Sequence, residues 1–158
     1  LYICFRTTCF CNFYFFLQGL YLRPPAHFIQ QCAFKKDTND TRESAAIYVA
    51  DDLIHEQAKI AVYDPKVEEA QVLAVLNYLE TRSAAQNEKF TKVYKDAYEA
   101  CKGAHAIAVL TEWDEFKSYD WHQIYNSMLK PAFVFDGRNL LDKTALEKIG
   151  FVYQAIGS

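Results

Sequence analysis

No Gly-x-Gly-x-x-Gly occurs in the 158 residues, so the usual dinucleotide-binding fingerprint is absent from this chain. Nor is there a surplus of positive charge. The formal net charge is −3, which argues against the basic face that nucleic-acid-binding proteins show. His55, His105 and His122 are scattered, and no metal-ligating spacing forms around them. Five cysteines stand at positions 4, 9, 11, 32 and 101, and Cys32 and Cys101 are single and unpatterned, which fits a reducing compartment. No nucleophile with a neighbouring base can be picked out. From residue 31 onward there is no internal repeat and no low-complexity tract.

What is present suits one globular domain, with 51% apolar and 23% charged residues. Residues 1–30 stand apart. They hold Arg6 and Arg23 and no acid, whereas the rest of the chain carries 15 bases and 20 acids. The stretch LYICFRTTCFCNFYFFLQGLYL, residues 1–22, is crowded with aromatic residues and cysteine. As a signal or anchor it is interrupted by Arg6, Asn12 and Gln18. As a zinc site, Cys9 and Cys11 lack a second ligand pair at a finger spacing. The reading adopted is that residues 1–30 are a non-domain segment, non-coding sequence read through, with a membrane segment and a metal site as alternatives. The chain begins with Leu1 and its only Met is Met128, which gives the expectation of a fragment, a processed product or a translation with a doubtful start.

The domain is expected from residue 31. Residues 31–34 read as the end of a strand. Asp40 and Glu43 form a capping box for a helix over 42–56, whose apolar positions Ala46, Ile47, Val49, Ala50, Leu53 and Ile54 keep helical spacing. KIAVYDP, 59–65, is a short buried strand stopped by Asp64-Pro65, and 67–80 is a second amphipathic helix. TRSAAQNEK, 81–89, has no period and reads as a mobile loop. A short helix follows at 94–103 with Gly103 ending it, then HAIAVL, 105–110, an apolar run suited to a sheet covered on both faces. Asp120 caps a helix through Leu129; AFVF, 132–135, is a strand; 142–150 is a small helix and 151–157 a last strand. Strands alternating with helices, over connections too long for hairpins, imply an α/β fold: a doubly wound, mainly parallel Rossmann-like sheet with helices on both faces.

Ligands of such sheets bind beyond the carboxyl ends of the strands. Those ends carry Lys35-Lys36-Asp37, Asp64, Thr111-Glu112 and Asp136-Gly137-Arg138. Lys35, Lys36, Arg42 and Arg138 would then share one edge of an otherwise acidic domain. Arg42 falls in the first turn of a helix, where a cation does nothing for the helix but does suit a bound phosphate. Arg138 follows a strand and a glycine, so it can grip a phosphate with two donors. The alternative is that these cations are solvated or paired locally, with Asp37, Asp40 and Glu43 satisfying Lys36 and Arg42. Tyr94, Tyr98, Trp113 and Trp121 suit a core or an interface better than base stacking.

AFKKDTNDTRESAAIYVADDL, VYDPKV, KDAYEACKGAHAIAVLTEWDEF, LKPAFVFDGRNLLD and IGF resemble, in this order, the C-terminal UDP-binding domain of the UDP-glucose/GDP-mannose dehydrogenase family. The resemblance covers residues 32–157. It implies a place in an NAD-dependent oxidoreductase that oxidises the C6 hydroxyl of UDP-glucose twice, giving UDP-glucuronate. It implies that Phe34 and Lys35 contact the UDP-sugar, that Arg138 contacts the substrate too, and that Arg42 reaches towards NAD. The cofactor itself would be held mainly by an N-terminal domain. The family's nucleophilic cysteine lies in a glycine-rich motif with an assisting lysine and aspartate; neither Cys32 nor Cys101 matches that context, so these 158 residues are expected to be inactive alone. The family also implies homo-oligomers and a cytoplasmic location, with no nucleic-acid or membrane partner. The alternative is a non-catalytic remnant that docks on full-length subunits. A truncated first strand would leave its place in the sheet frayed or unpaired.

Overall fold

In the computed structural model, residues 27–30 and 45–156 are described. They form one six-stranded sheet, all of it parallel. The strands are β1 (His27–Gln30), β2 (Lys59–Tyr63), β3 (Thr91–Tyr94), β4 (Ala106–Val109), β5 (Phe133–Asp136) and β6 (Val152–Ala155). The helices are α1 (Ala45–His55), α2 (Glu69–Tyr78), α3 (Ala84–Phe90), α4 (Ala97–Cys101), α5 (Trp121–Ser127) and α6 (Lys143–Ile149), with a 3₁₀ turn at Asp114–Ser118. The strand order is β3-β2-β1-β4-β5-β6. The chain therefore winds outward from β1 in one direction and then, from β4, in the other.

Local chemistry explains most of these elements. All six apolar positions expected to face inward from α1 are buried, while Tyr48 between them is exposed. Each of Asp96, Asp120 and Asp142 accepts a hydrogen bond from the third residue of the helix that follows it. All four residues of β4 and all four of β5 are buried, so apolar material covers both faces of the sheet there. Gly150 ends α6 with φ +120, and a Cβ built on it would stand 2.6 Å from the Tyr125 hydroxyl. Both backbone and space therefore exclude a side chain at that position.

Three expectations are corrected. Residues 81–89 are not a loop: α3 takes up all of them from Ala84 onward and runs on to Phe90, capped by Ser83, whose hydroxyl accepts from Gln86 N–H. A seven-residue helix is too short to show a period, although its Ser-x-x-Gln capping box was legible. The helix expected from residue 94 starts at Ala97, because Thr91–Tyr94 is an edge strand paired with β2. The first strand lies at residues 27–30, inside the segment read as standing apart from the domain, and it is not unpaired. It pairs with β2 on one side and β4 on the other, at the centre of the sheet. The expected strand at 31–34 and the Asp40–Glu43 capping box lie outside the described residues.

Candidate functional site at the carboxyl edge of the sheet

The strand order reverses between β1 and β4, and open sheets of this kind take ligands at the carboxyl edge beside that point. Of the sequence-derived site residues, Phe34, Lys35 and Arg42 follow β1 and lie outside the described residues, as do Lys36, Asp37 and Asp40. Arg138 is described, and it stands two residues past the end of β5, the strand next to β4.

The backbone under Arg138 is fixed by a buried carboxylate. Asp136, the last residue of β5, is 1% exposed. Its Oδ1 accepts from Arg138 N–H at 2.9 Å. Its Oδ2 accepts from Leu140 N–H and Leu141 N–H, each at 2.8 Å, and from the Tyr153 hydroxyl at 2.9 Å. One carboxylate thus holds the whole turn that follows β5. Burial, and then the hydrogen bond to Asp136, raise the Tyr153 pKa above its ordinary value, so the phenol stays a donor. Gly137 continues the ladder, giving its N–H to Val109 O at 2.9 Å. A Cβ there would lie 3.1 Å from that same oxygen, a tight contact that a side chain could meet only by moving the two chains apart by a few tenths of an ångström. Asn139 has a φ of +53 and ties the turn to the end of β6 through Ile156 O at 3.2 Å.

From this fixed turn the Arg138 guanidinium meets Glu112, Nη2 to Oε1, at 2.9 Å, with both side chains about half exposed. Glu112 follows β4, so the pair joins the loop after β4, beside the switch point, to the loop after the next strand, β5. Its neighbour Thr111 is buried. Sequence reading found both strand ends but not their pairing, since nothing in either loop points to the other.

A second group of contacts holds the end of β2. Asp64 is buried; it accepts from Trp113 Nε1 at 3.2 Å and from Lys66 N–H at 2.9 Å. Beside it the Tyr63 and Tyr119 hydroxyls both donate to Glu115 Oε1, at 3.0 and 2.8 Å. Burial raises the pKa of both phenols, for Tyr119 with added help from Tyr63 and Glu115. Tyr63 and Glu115 lie 52 positions apart in the chain, and no motif links them. Tyr98 packs on Tyr119 and Trp121 on Phe151, as expected of core aromatics.

Among the described residues no group of three or more His, Cys, Asp or Glu side chains is arranged to hold a metal ion, and no helix is long and apolar enough to cross a membrane.

A doubly wound parallel sheet with a braced arginine on one of its carboxyl-edge loops belongs to the class of open α/β domains that take their ligands at that edge. Residues 29–143 match the model of the UDP-glucose/GDP-mannose dehydrogenase family, UDP binding domain, and the chain belongs to that family. It is 53% identical over 127 residues to a UDP-glucose 6-dehydrogenase of Caenorhabditis elegans, a match covering 80% of this chain and 26% of the relative. It is 47% identical over 135 residues to UDP-glucose 6-dehydrogenase 1 of Arabidopsis thaliana, covering 79% of this chain and 28% of that one. The chain thus spans about a quarter of the length of the curated relatives it matches. Among solved structures, a UDP-D-ManNAc dehydrogenase of Pyrococcus horikoshii aligns with TM-score 0.63 at 25% identity, covering 92% of this chain and 29% of that one.

Proposed function

We propose that this chain binds the UDP moiety of a nucleotide sugar at the carboxyl edge of its sheet, within an NAD-dependent dehydrogenase that converts UDP-glucose to UDP-glucuronate. The observation that carries the reading is Arg138, held by the Asp136 turn beside the switch point of a domain whose family model is a UDP-binding one. Phe34 and Lys35 contribute from the chain that follows β1. The guanidinium supplies the donors for an anionic or hydroxyl-rich ligand.

NAD fits this chain poorly as a ligand of its own. The residues after β1, 31–44, contain no glycine, so they lack the glycine fingerprint with which a first strand–helix turn meets a pyrophosphate. Arg42 is a single contact offered towards a dinucleotide held elsewhere. Homo-oligomer assembly and a cytoplasmic location belong to the same reading.

Titration calorimetry of the 158-residue chain with UDP tests it. UDP binding is expected, and Arg138→Ala is expected to weaken it by about tenfold or more, the worth of one charge-assisted contact. No UDP binding by the folded wild-type chain would overturn the reading. Unchanged affinity in the Arg138 variant would remove Arg138 from the site.

A further inference from the structure

We infer that Glu112 is the exchangeable counter-ion of Arg138, a positioning residue that makes the site discriminate against ligands by their charge. The inference rests on the reading that Arg138 meets the bound ligand. The pair spans the loops after β4 and β5, and both side chains are about half exposed. Such a pair is worth only about 0–1 kcal/mol, so an arriving anion can displace it. Its backbone is not free to move in response: the Asp136 carboxylate holds Arg138 N–H, and Gly137 N–H is held by Val109. Exchange is therefore confined to the two side chains.

Glu112 engages one terminal nitrogen of the guanidinium, Nη2. The remaining donors of the fork can meet a ligand while the carboxylate stays in place. In either arrangement, shared or displaced, a negative charge beside the guanidinium opposes a negative ligand. The opposition grows with ligand charge. A free nucleoside diphosphate has an unesterified terminal phosphate and carries about one more negative charge than a diphosphate esterified to a sugar. Glu112 thus disfavours the free diphosphate relative to the nucleotide sugar, and gives Arg138 a partner when the ligand leaves.

The test titrates UDP and UDP-glucose into the 158-residue chain, Glu112→Gln, Arg138→Ala and the double variant, at low and moderate salt. In Glu112→Gln, UDP is expected to tighten by about fivefold and UDP-glucose by about threefold. Both gains should shrink as salt rises, because the charges are exposed. In the Arg138→Ala background the gain should shrink, because no guanidinium remains for Glu112 to occupy and only its direct repulsion of the ligand is left. A gain equal for both ligands, a loss in Glu112→Gln, or a gain undiminished by removal of Arg138 would each overturn the assignment. Failure of the wild-type chain to bind either ligand would instead sink the proposed function on which it rests. Glu112→Ala, with thermal melts of every variant, separates a binding effect from a folding one.

Discussion

Asp136→Ala is expected to destabilise the domain by about 3–5 kcal/mol, because one substitution orphans four donors. The carboxylate is 1% exposed, and three backbone N–H groups and the Tyr153 hydroxyl converge on it. Alanine offers none of them an acceptor and leaves a cavity at the end of a fully buried strand. The turn 137–141 should open, and with it the mooring of Arg138, so UDP affinity should fall along with stability. Asp136→Asn keeps the shape and one oxygen but turns an N–H pair towards donors; its expected cost is smaller, about 2 kcal/mol. Urea unfolding of both variants checks this. A cost below about 1 kcal/mol for alanine would mean that water replaces the carboxylate, and that the turn holds itself.

The second large effect is alkaline. Cys101 lies buried at the end of α4, and burial, followed by the charge of Asp96, pushes its thiol from 9.0 up to about 12. A group whose folded pKa is raised stabilises the fold below its unfolded pKa. That stability is lost as pH climbs towards the folded value, because the unfolded chain releases the proton first. Stability should therefore decline from about pH 9, and by about pH 12 the loss from this one thiol should reach about 4 kcal/mol. Tyr63, Tyr119 and Tyr153 are raised as well and add to the decline with the same sign above their ordinary 10.0. Unfolding under reductant at pH 8, 10 and 11 measures the slope. Cys101→Ala should start lower by about 1 kcal/mol for the lost packing, yet fall less steeply. A variant with the wild-type slope would show that the thiol is not responsible.

How far the sequence announced all this depends on the range of each interaction. Local signals were legible: the cap at Asp120, the buried face of α1, and the unbroken apolar run of β4 each depend on neighbours a few residues away. The strand β3 was not legible. Thr91–Tyr94 is four residues long and half exposed, with Lys92 in its middle, so it lacks both alternation and a continuous apolar run. The position of β1 was misjudged for a related reason. The polar run from Lys35 onward marks the end of a strand, but nothing marks how far upstream that strand begins. The position of Arg138, after a strand and a glycine, was legible. Glu112, its partner, was visible only as another strand end, since the loops meet through the sheet and not through the chain. The Tyr63–Glu115–Tyr119 contacts have the same character.

The central place of β1 has a consequence for how the sheet comes together in time. Among the described residues, the hydrogen-bond ladder between β3-β2 and β4-β5-β6 runs through His27–Gln30 alone. Each flank is assembled from crossovers short in sequence, whereas β1 must find β4 across most of the domain. Closing so long a loop for a few ladder bonds is entropically costly, so the seam should form after the flanks. The same seam is the natural line of parting in the native protein. Amide exchange should then resolve two cooperative units, β2 with β3 and β4 with β5 and β6, each opening at its own free energy. One common opening energy across β2 and β5 would show instead that the four-residue strand welds the sheet into a single unit.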